Sequence, residues 1–163
     1  MRITKLNPEE VKSLYQRHGA ALAAYACSFG LDHASAEDVV QQLFLKLLKE
    51  KHLVPRTPLA YLYGATRNAC LNRRRDRGRE TDLEPVESWF THSGGSPDEV
   101  LSIQNALKEL PPEQRETVFL KVWSGMTLQE IAEATATPLN TVASRFRYAL
   151  EKLRERLAPD STR

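Results

Sequence analysis

Residues 127–157 read TLQEIAEATATPLNTVASRFRYALEKLRERL, and the rest of the chain is organised around them. Thr127 and Glu130 have the spacing of a capping box, in which a hydroxyl caps a free N–H and a carboxylate reaches back. Leu128, Ile131 and Ala132 supply an apolar face for the short helix that follows. Residues 134–136 form a break, after which Thr137 is placed to cap a second helix with Pro138 at its first position. In that helix Val142, Phe146, Ala149, Leu150, Leu153 and Leu157 keep the three-four spacing of a buried stripe. The opposite side carries Asn140, Thr141, Ser144, Arg147, Tyr148 and Lys152, with Arg145 on the flank. Such side chains bond phosphates and base edges. A short helix, a tight turn and a longer helix with polar residues near its start is a helix-turn-helix pattern. An ordinary amphipathic hairpin would share the spacing. The residue types favour a reader of duplex DNA, because a merely solvated face tends toward alternating Glu and Lys.

Two more helices precede this pair. Ser96, Pro97 and Glu99 open one that runs through Val100, Leu101, Ile103, Ala106, Leu107 and Leu110, and Pro111 with Pro112 ends it. The next carries Val118, Phe119, Val122 and Trp123 and stops at Gly125. Upstream, residues 80–96 read ETDLEPVESWFTHSGGS, with four acids and no Lys or Arg. This is a flexible acidic linker, too long for an ordinary connection inside one compact domain. Trp89 and Phe90 are unusual in a free linker and suggest that it docks.

The N-terminal part reads as three helices. Asn7, Pro8 and Glu10 open the first, which carries Val11, Leu14, Tyr15, His18, Leu22 and Tyr25 and ends near Gly30. His18 reads as a partly buried structural residue. Ser35 is expected to cap the second, whose apolar side is Val39, Val40, Leu43, Phe44, Leu47 and Leu48. Asp38, Gln41 and Gln42 lie toward its start, where acids also suit the helix dipole. Thr57 and Pro58 open the third, with a stripe of Leu59, Leu62, Ala65, Thr66 and Ala69. Tyr61, Tyr63, Arg67, Asn68 and Asn72 share this helix with Arg73, Arg74, Arg75, Arg77 and Arg79. Aromatic rings beside clustered arginines suit single-stranded nucleic acid, where rings stack on bases and cations hold phosphates. A solvated basic helix end is the plainer account of the arginines alone.

Composition narrows the alternatives. The 163 residues are 41% hydrophobic and 27% charged, with a net charge of only +2, so any nucleic-acid surface must arise from local clustering. The apolar runs are shorter than a membrane span, and the start lacks the apolar segment of a signal peptide. Cys27 and Cys70 have no zinc spacing and suit a reducing cytoplasm. No catalytic triad, phosphate-cradling glycine loop or metal cluster is legible, so no enzyme activity and no cofactor are expected.

These residues together resemble the extracytoplasmic-function sigma factors of bacterial RNA polymerase, over residues 14–157 or so. AEDVVQQLFLKLLK is similar to the family's segment that docks on the clamp helices of the polymerase β′ subunit. PLAYLYGATRNACLNRRRDRGR is similar to the segment that melts and reads the −10 element. Residues 107–154 are similar to the domain that reads the −35 element and touches the β flap. Gln42 stands where an acid is common, Leu43 where a Thr is, and Ala136 and Asn140 where glycines are. Tyr61 and Tyr63 stand near a frequent tryptophan.

The resemblance implies an all-α chain of two small helical domains, at 1–79 and 97–163, joined by the linker at 80–96. It implies a cytoplasmic factor that directs promoter-specific initiation, with core RNA polymerase and promoter DNA as partners and, in many relatives, an anti-sigma factor. Asp38, Val39, Gln41, Gln42 and Phe44 would bind polymerase. Tyr61, Tyr63, Arg67, Asn68, Asn72, Arg73, Arg74 and Arg75 would hold the −10 strand. Asn140, Thr141, Ala143, Ser144, Arg145, Arg147, Tyr148 and Lys152 would meet −35 DNA. A free-standing helix-turn-helix regulator that needs no polymerase is the rival reading. Deleting residues 82–87 is expected to alter initiation and spare binding to an isolated −35 duplex.

Overall fold

A computed structural model describes residues 3–50, 53–55, 58–76, 90 and 95–158. Its architecture is helical: α1 (Pro8–Cys27), α2 (His33–Glu50), α3 (Pro58–Asp76), α4 (Pro97–Glu109), α5 (Pro112–Val118), α6 (Leu128–Thr135) and α7 (Leu139–Leu157). One addition is a pair of three-residue antiparallel strands, β1 (Ile3–Lys5) and β2 (Leu53–Pro55), with Thr4 opposite Val54. Arg77, Arg79 and most of the acidic segment at 80–96 lie outside the described residues, and so does the boundary drawn at 79.

Local chemistry sets most helix starts. Asn7, Ser96 and Thr127 each accept from the backbone amide three residues on, while Glu10, Glu99 and Glu130 reach back to the cap amide. Each such cap is worth about 1 kcal/mol. Two expected starts are corrected. α2 begins at His33, because the Asp32 carboxylate takes the Ser35 amide at 2.7 Å and leaves Ser35 inside the helix. At α7 Pro138 occupies the cap without a side-chain bond, and the Thr137 hydroxyl donates to the Thr135 carbonyl at 3.1 Å.

α5 runs on into a π-helical turn, Phe119–Trp123, closed by the Ser124 amide on the Phe119 carbonyl at 3.0 Å. Ahead of it, Arg115 is buried and donates to the Leu107, Lys108 and Leu110 carbonyls at 2.7–2.9 Å. It thereby satisfies the carbonyl end of α4, which Pro111 and Pro112 cannot continue.

The two halves share one core. Leu22, Tyr25, Phe44, Leu62 and Tyr63 from α1–α3 belong to the same buried cluster as Leu107, Phe119, Met126, Ile131 and Val142. α3 lies in the middle, against α1 and α2 on one side and α6 on the other. A Cβ built on Gly64 would stand 3.3 Å from the Ala134 carbonyl oxygen, so glycine lets these helix backbones approach closely. A smaller cluster around Leu31, Ala36 and Val39 holds both thiols, Cys27 and Cys70, reduced and buried. His18 is half-buried, and desolvation, then neighbouring Arg17, lowers its pKa.

Candidate nucleic-acid interface

The α6–α7 hairpin stands as its spacing predicts. Ala136 carries the turn in the left-handed region, at φ 50° and ψ 45°. A side chain there costs about 1–2 kcal/mol, which a glycine avoids. The cost is offset in part by bonds that close the end of α6, notably the Thr137 amide on the Ala132 carbonyl at 3.0 Å. Val142 and Ala149 anchor α7 in the core, with Phe146 and Leu153 packed beside them. Leu157, expected in the buried stripe, is exposed because α7 runs past the core.

The opposite face of α7 is open. Asn140, Thr141, Arg147, Tyr148 and Lys152 are exposed, and Ala143, Ser144 and Arg145 are partly so. The Arg147 guanidinium lies 5.1 Å from the centroid of the Tyr148 ring. With no side chain capping it, the start of α7 presents amide N–H groups beside Asn140 and Thr141, an end that favours anions.

α3 is different. Asn68, Asn72, Arg74 and Arg75 are exposed, with Arg73 and Tyr61 partly so. Tyr63 is 0% exposed. This corrects its expected place on an accessible face: the helix turns that ring into the packing between the halves, where it meets Tyr25 edge-on at 5.3 Å. Burial pushes the Tyr63 hydroxyl up to about 12, against a small lowering by nearby Ser124. Neither hydroxyl reaches a well-formed hydrogen bond.

Arg67 is engaged as well. Its Nε meets both Glu116 carboxylate oxygens at 3.3 Å, and the Tyr25 hydroxyl donates to Glu116 Oε2 at 3.1 Å. Burial, followed by the charge of Glu116, raises the Tyr25 pKa well above its ordinary value. The sequence reading did not single out Glu116. Its only signal was a carboxylate at a position that α5 turns inward.

The α2 set is corrected in part. Val39 and Phe44 are each only 4% exposed and belong to the core. Asp38, Gln41 and Gln42 are exposed. Leu45 and Leu48 join them at 50% and 47% exposure, Leu48 against its expected place on the buried side. Leu45 sits off the Val40–Phe44–Leu47 stripe, and that offset was the available clue. Asp38 also accepts from Arg73 at 2.9 Å and from Gln42 at 3.2 Å, so the α2 and α3 sets adjoin. Among the described residues no helix is long and apolar enough to cross a membrane.

Comparison with known proteins agrees with this geometry. The family model for sigma-70 region 2 matches residues 14–80, and that for sigma-70 region 4 matches residues 101–153. The ECF RNA polymerase sigma factor SigL of Mycobacterium tuberculosis is 30% identical over 153 residues, spanning 88% of this chain and 86% of SigL. The ECF RNA polymerase sigma factor RpoE of Cereibacter sphaeroides is 27% identical over 158 residues, spanning 89% and 84%. Among solved structures, CnrH in complex with the cytosolic domain of CnrY has a TM-score of 0.61 at 28% identity, covering 95% of this chain and 92% of CnrH. RpoE in complex with the anti-sigma factor NepR from Bartonella quintana has a TM-score of 0.63 at 24% identity, covering 91% and 99%.

Proposed function

The chain belongs to the ECF sigma factors of RNA polymerase, and from that membership we propose a division of labour between its two helical halves. A sigma factor binds core RNA polymerase and promoter DNA and directs initiation. In this reading α7 enters the major groove of duplex −35 DNA, and α3 captures the opened −10 strand. The observation that carries it is the solvent-facing side of α7, whose Asn140, Thr141, Arg147 and Tyr148 remain open although the two halves share a core.

Ser144, Arg147 and Tyr148 reach base edges, with Ala143 near enough to touch a thymine methyl. Thr141, Arg145, Lys152 and the uncapped amides of α7 hold phosphates. On α3, Tyr61 stacks an unpaired base, Arg67, Asn68 and Asn72 bond the strand, and Arg73, Arg74 and Arg75 grip its backbone. Stacking gives about 1–3 kcal/mol per base, comparable with opening one or two base-pair steps. Asp38, Gln41 and Gln42, with the exposed Leu45 and Leu48 as their apolar centre, meet the β′ clamp helices. The α4–α7 half meets the β flap. The acidic residues of the 80–96 segment lie in the polymerase's cationic RNA path until transcript displaces them.

The chain acts as an initiation factor in the compartment that holds the polymerase and supplies no chemistry of its own. The resemblance supports docking of an anti-sigma protein as well, and the similar chain CnrH is solved with a protein partner, the cytosolic domain of CnrY. Transcription with purified core polymerase on a randomised promoter pool tests the reading. Enrichment of paired −35 and −10 sequences is the expected result. Tight duplex binding by the chain alone, with no polymerase-dependent initiation, would overturn it.

A further inference from the structure

α7 begins on an exposed leucine. Leu139 is the first residue of the helix and is 44% exposed. Among the described residues it belongs to neither apolar cluster of the core. Val142, one turn on, is 1% exposed and anchors the helix. Leu139 stands ahead of that anchor, past the end of the packed stripe. Its approach is stiff. Ala136 turns the chain in the left-handed region, and Pro138, at φ −58° and ψ 142°, holds extended backbone immediately before it. The leucine is thus held out by the turn that aims α7, and is not a frayed end.

Leu139, Ala143 and Arg147 follow one another at four-residue spacing and form a single row along α7. Ala143 is partly exposed and Arg147 is exposed. The neighbouring row is Asn140, Ser144 and Tyr148, so Leu139 is continuous with the face assigned to duplex DNA. In a helix-turn-helix the N-terminal residues of the second helix contact base edges in the major groove. Leucine and alanine side chains have no donor or acceptor to offer there. Among the four bases, thymine alone presents an apolar group in that groove, its C5 methyl. Against any other base edge Leu139 would strip water from hydrogen-bonding groups and return nothing, whereas covering a methyl group carries no such cost.

We propose that Leu139, with Ala143 behind it in the same row, is a specificity-determining residue that reads the C5 methyl group of a thymine in the −35 duplex. The inference rests on the assignment of α7 to duplex DNA. It goes beyond that assignment by adding Leu139 to the reading face and by naming the chemical group it selects. One row then carries both modes of direct readout: apolar contact at its Leu139 end and hydrogen bonding at Arg147. The methyl group contributes about fourfold in affinity, the effect of burying one hydrocarbon group.

The test uses holoenzyme, core RNA polymerase with the full-length chain, and the −35 sequence that it enriches from the randomised promoter pool. Each −35 thymine on either strand is replaced in turn by deoxyuridine, which keeps the O4 acceptor and the base pairing and lacks only the methyl group. Competition binding should show the parent losing about fourfold at one thymine. At that position Leu139→Ala should bind the thymine and deoxyuridine promoters equally, and it should keep the parent's choice at the base that Arg147 reads. An enriched −35 element without thymine on either strand, equal binding of every deoxyuridine promoter by the parent, or a Leu139→Ala variant that discriminates as the parent does, overturns the methyl reading. Failure of the α7 assignment itself would look different. The pool would then yield no −35 preference, or Arg147→Ala would leave every −35 preference intact, and neither outcome involves the methyl group.

Discussion

α7 and α3 are both helices with an apolar stripe and a polar face rich in arginine, yet the fold treats their polar faces oppositely. α7 packs on one side only and leaves Asn140, Thr141, Arg147 and Tyr148 in solvent. α3 packs on both sides, so Tyr63 and Arg67 are absorbed into the contact between the halves. Which face of a helix is available for a ligand therefore depends on how many neighbours the helix has, and periodicity along a single segment does not report that. Duplex DNA can be met by a surface that is always open.

The sharpest test of this contrast is the core that joins the halves. Phe119 is buried between Tyr25 and Trp123, and Phe119→Ala should cost about 3–5 kcal/mol, lowering the stability of both halves in one urea transition. Two separate transitions, with only the C-terminal one shifted, would show that the halves do not share a core.

Alkaline pH probes the same contact from the α3 side. The Tyr63 hydroxyl titrates near 12 when folded, against about 10 when unfolded. Its folded pKa is the higher one, so its contribution is whole below pH 10 and lost as pH rises through 12. The loss amounts to about 2–3 kcal/mol. Tyr63→Phe should be within about 1 kcal/mol of the parent at pH 7 and show a shallower fall in stability between pH 10 and 12 by urea unfolding. Equal slopes would mean that Tyr63 is not enclosed.

On the open helix, Arg147→Ala should remove about 1–3 kcal/mol of discrimination at one −35 base pair, read as relaxed choice in a holoenzyme promoter selection. Arg145→Ala should weaken all sequences more evenly, with a smaller salt slope. Loss at the same single position in both variants would contradict the split between base and phosphate contacts.

The smallest effect concerns the turn that aims α7. Ala136→Gly should stabilise the chain by about 1 kcal/mol in thermal unfolding, since φ is positive there. A destabilised variant would mean that glycine's greater freedom in the unfolded chain outweighs the relieved strain.

Much of this was legible in residue order. The capping boxes at Asn7, Ser96 and Thr127 depend on groups three residues apart, so their chemistry is local and showed at once. The exposed side of α7 was legible because its apolar stripe is one-sided. Val39 and Phe44 stand on the apolar side of α2 as their spacing predicts, but the polymerase contact that the resemblance implies for them is at odds with their burial: α2 has a wide buried side, and a stretch docking on a partner cannot be resolved into contact and core residues without its neighbours in view. Asp32 displaced Ser35 as the α2 cap because either side chain could serve, and only the turn geometry chooses between them.

Sequence alone determined the α-helices and the α6–α7 hairpin, because these rest on periodicity, capping and residue types within a few turns, and the family followed from the resemblance of three motifs in order. Tertiary structure decided which polar residues are free. Glu116 lies 91 residues from Tyr25 and 49 from Arg67, and contacts over such separations leave no periodic trace along the chain.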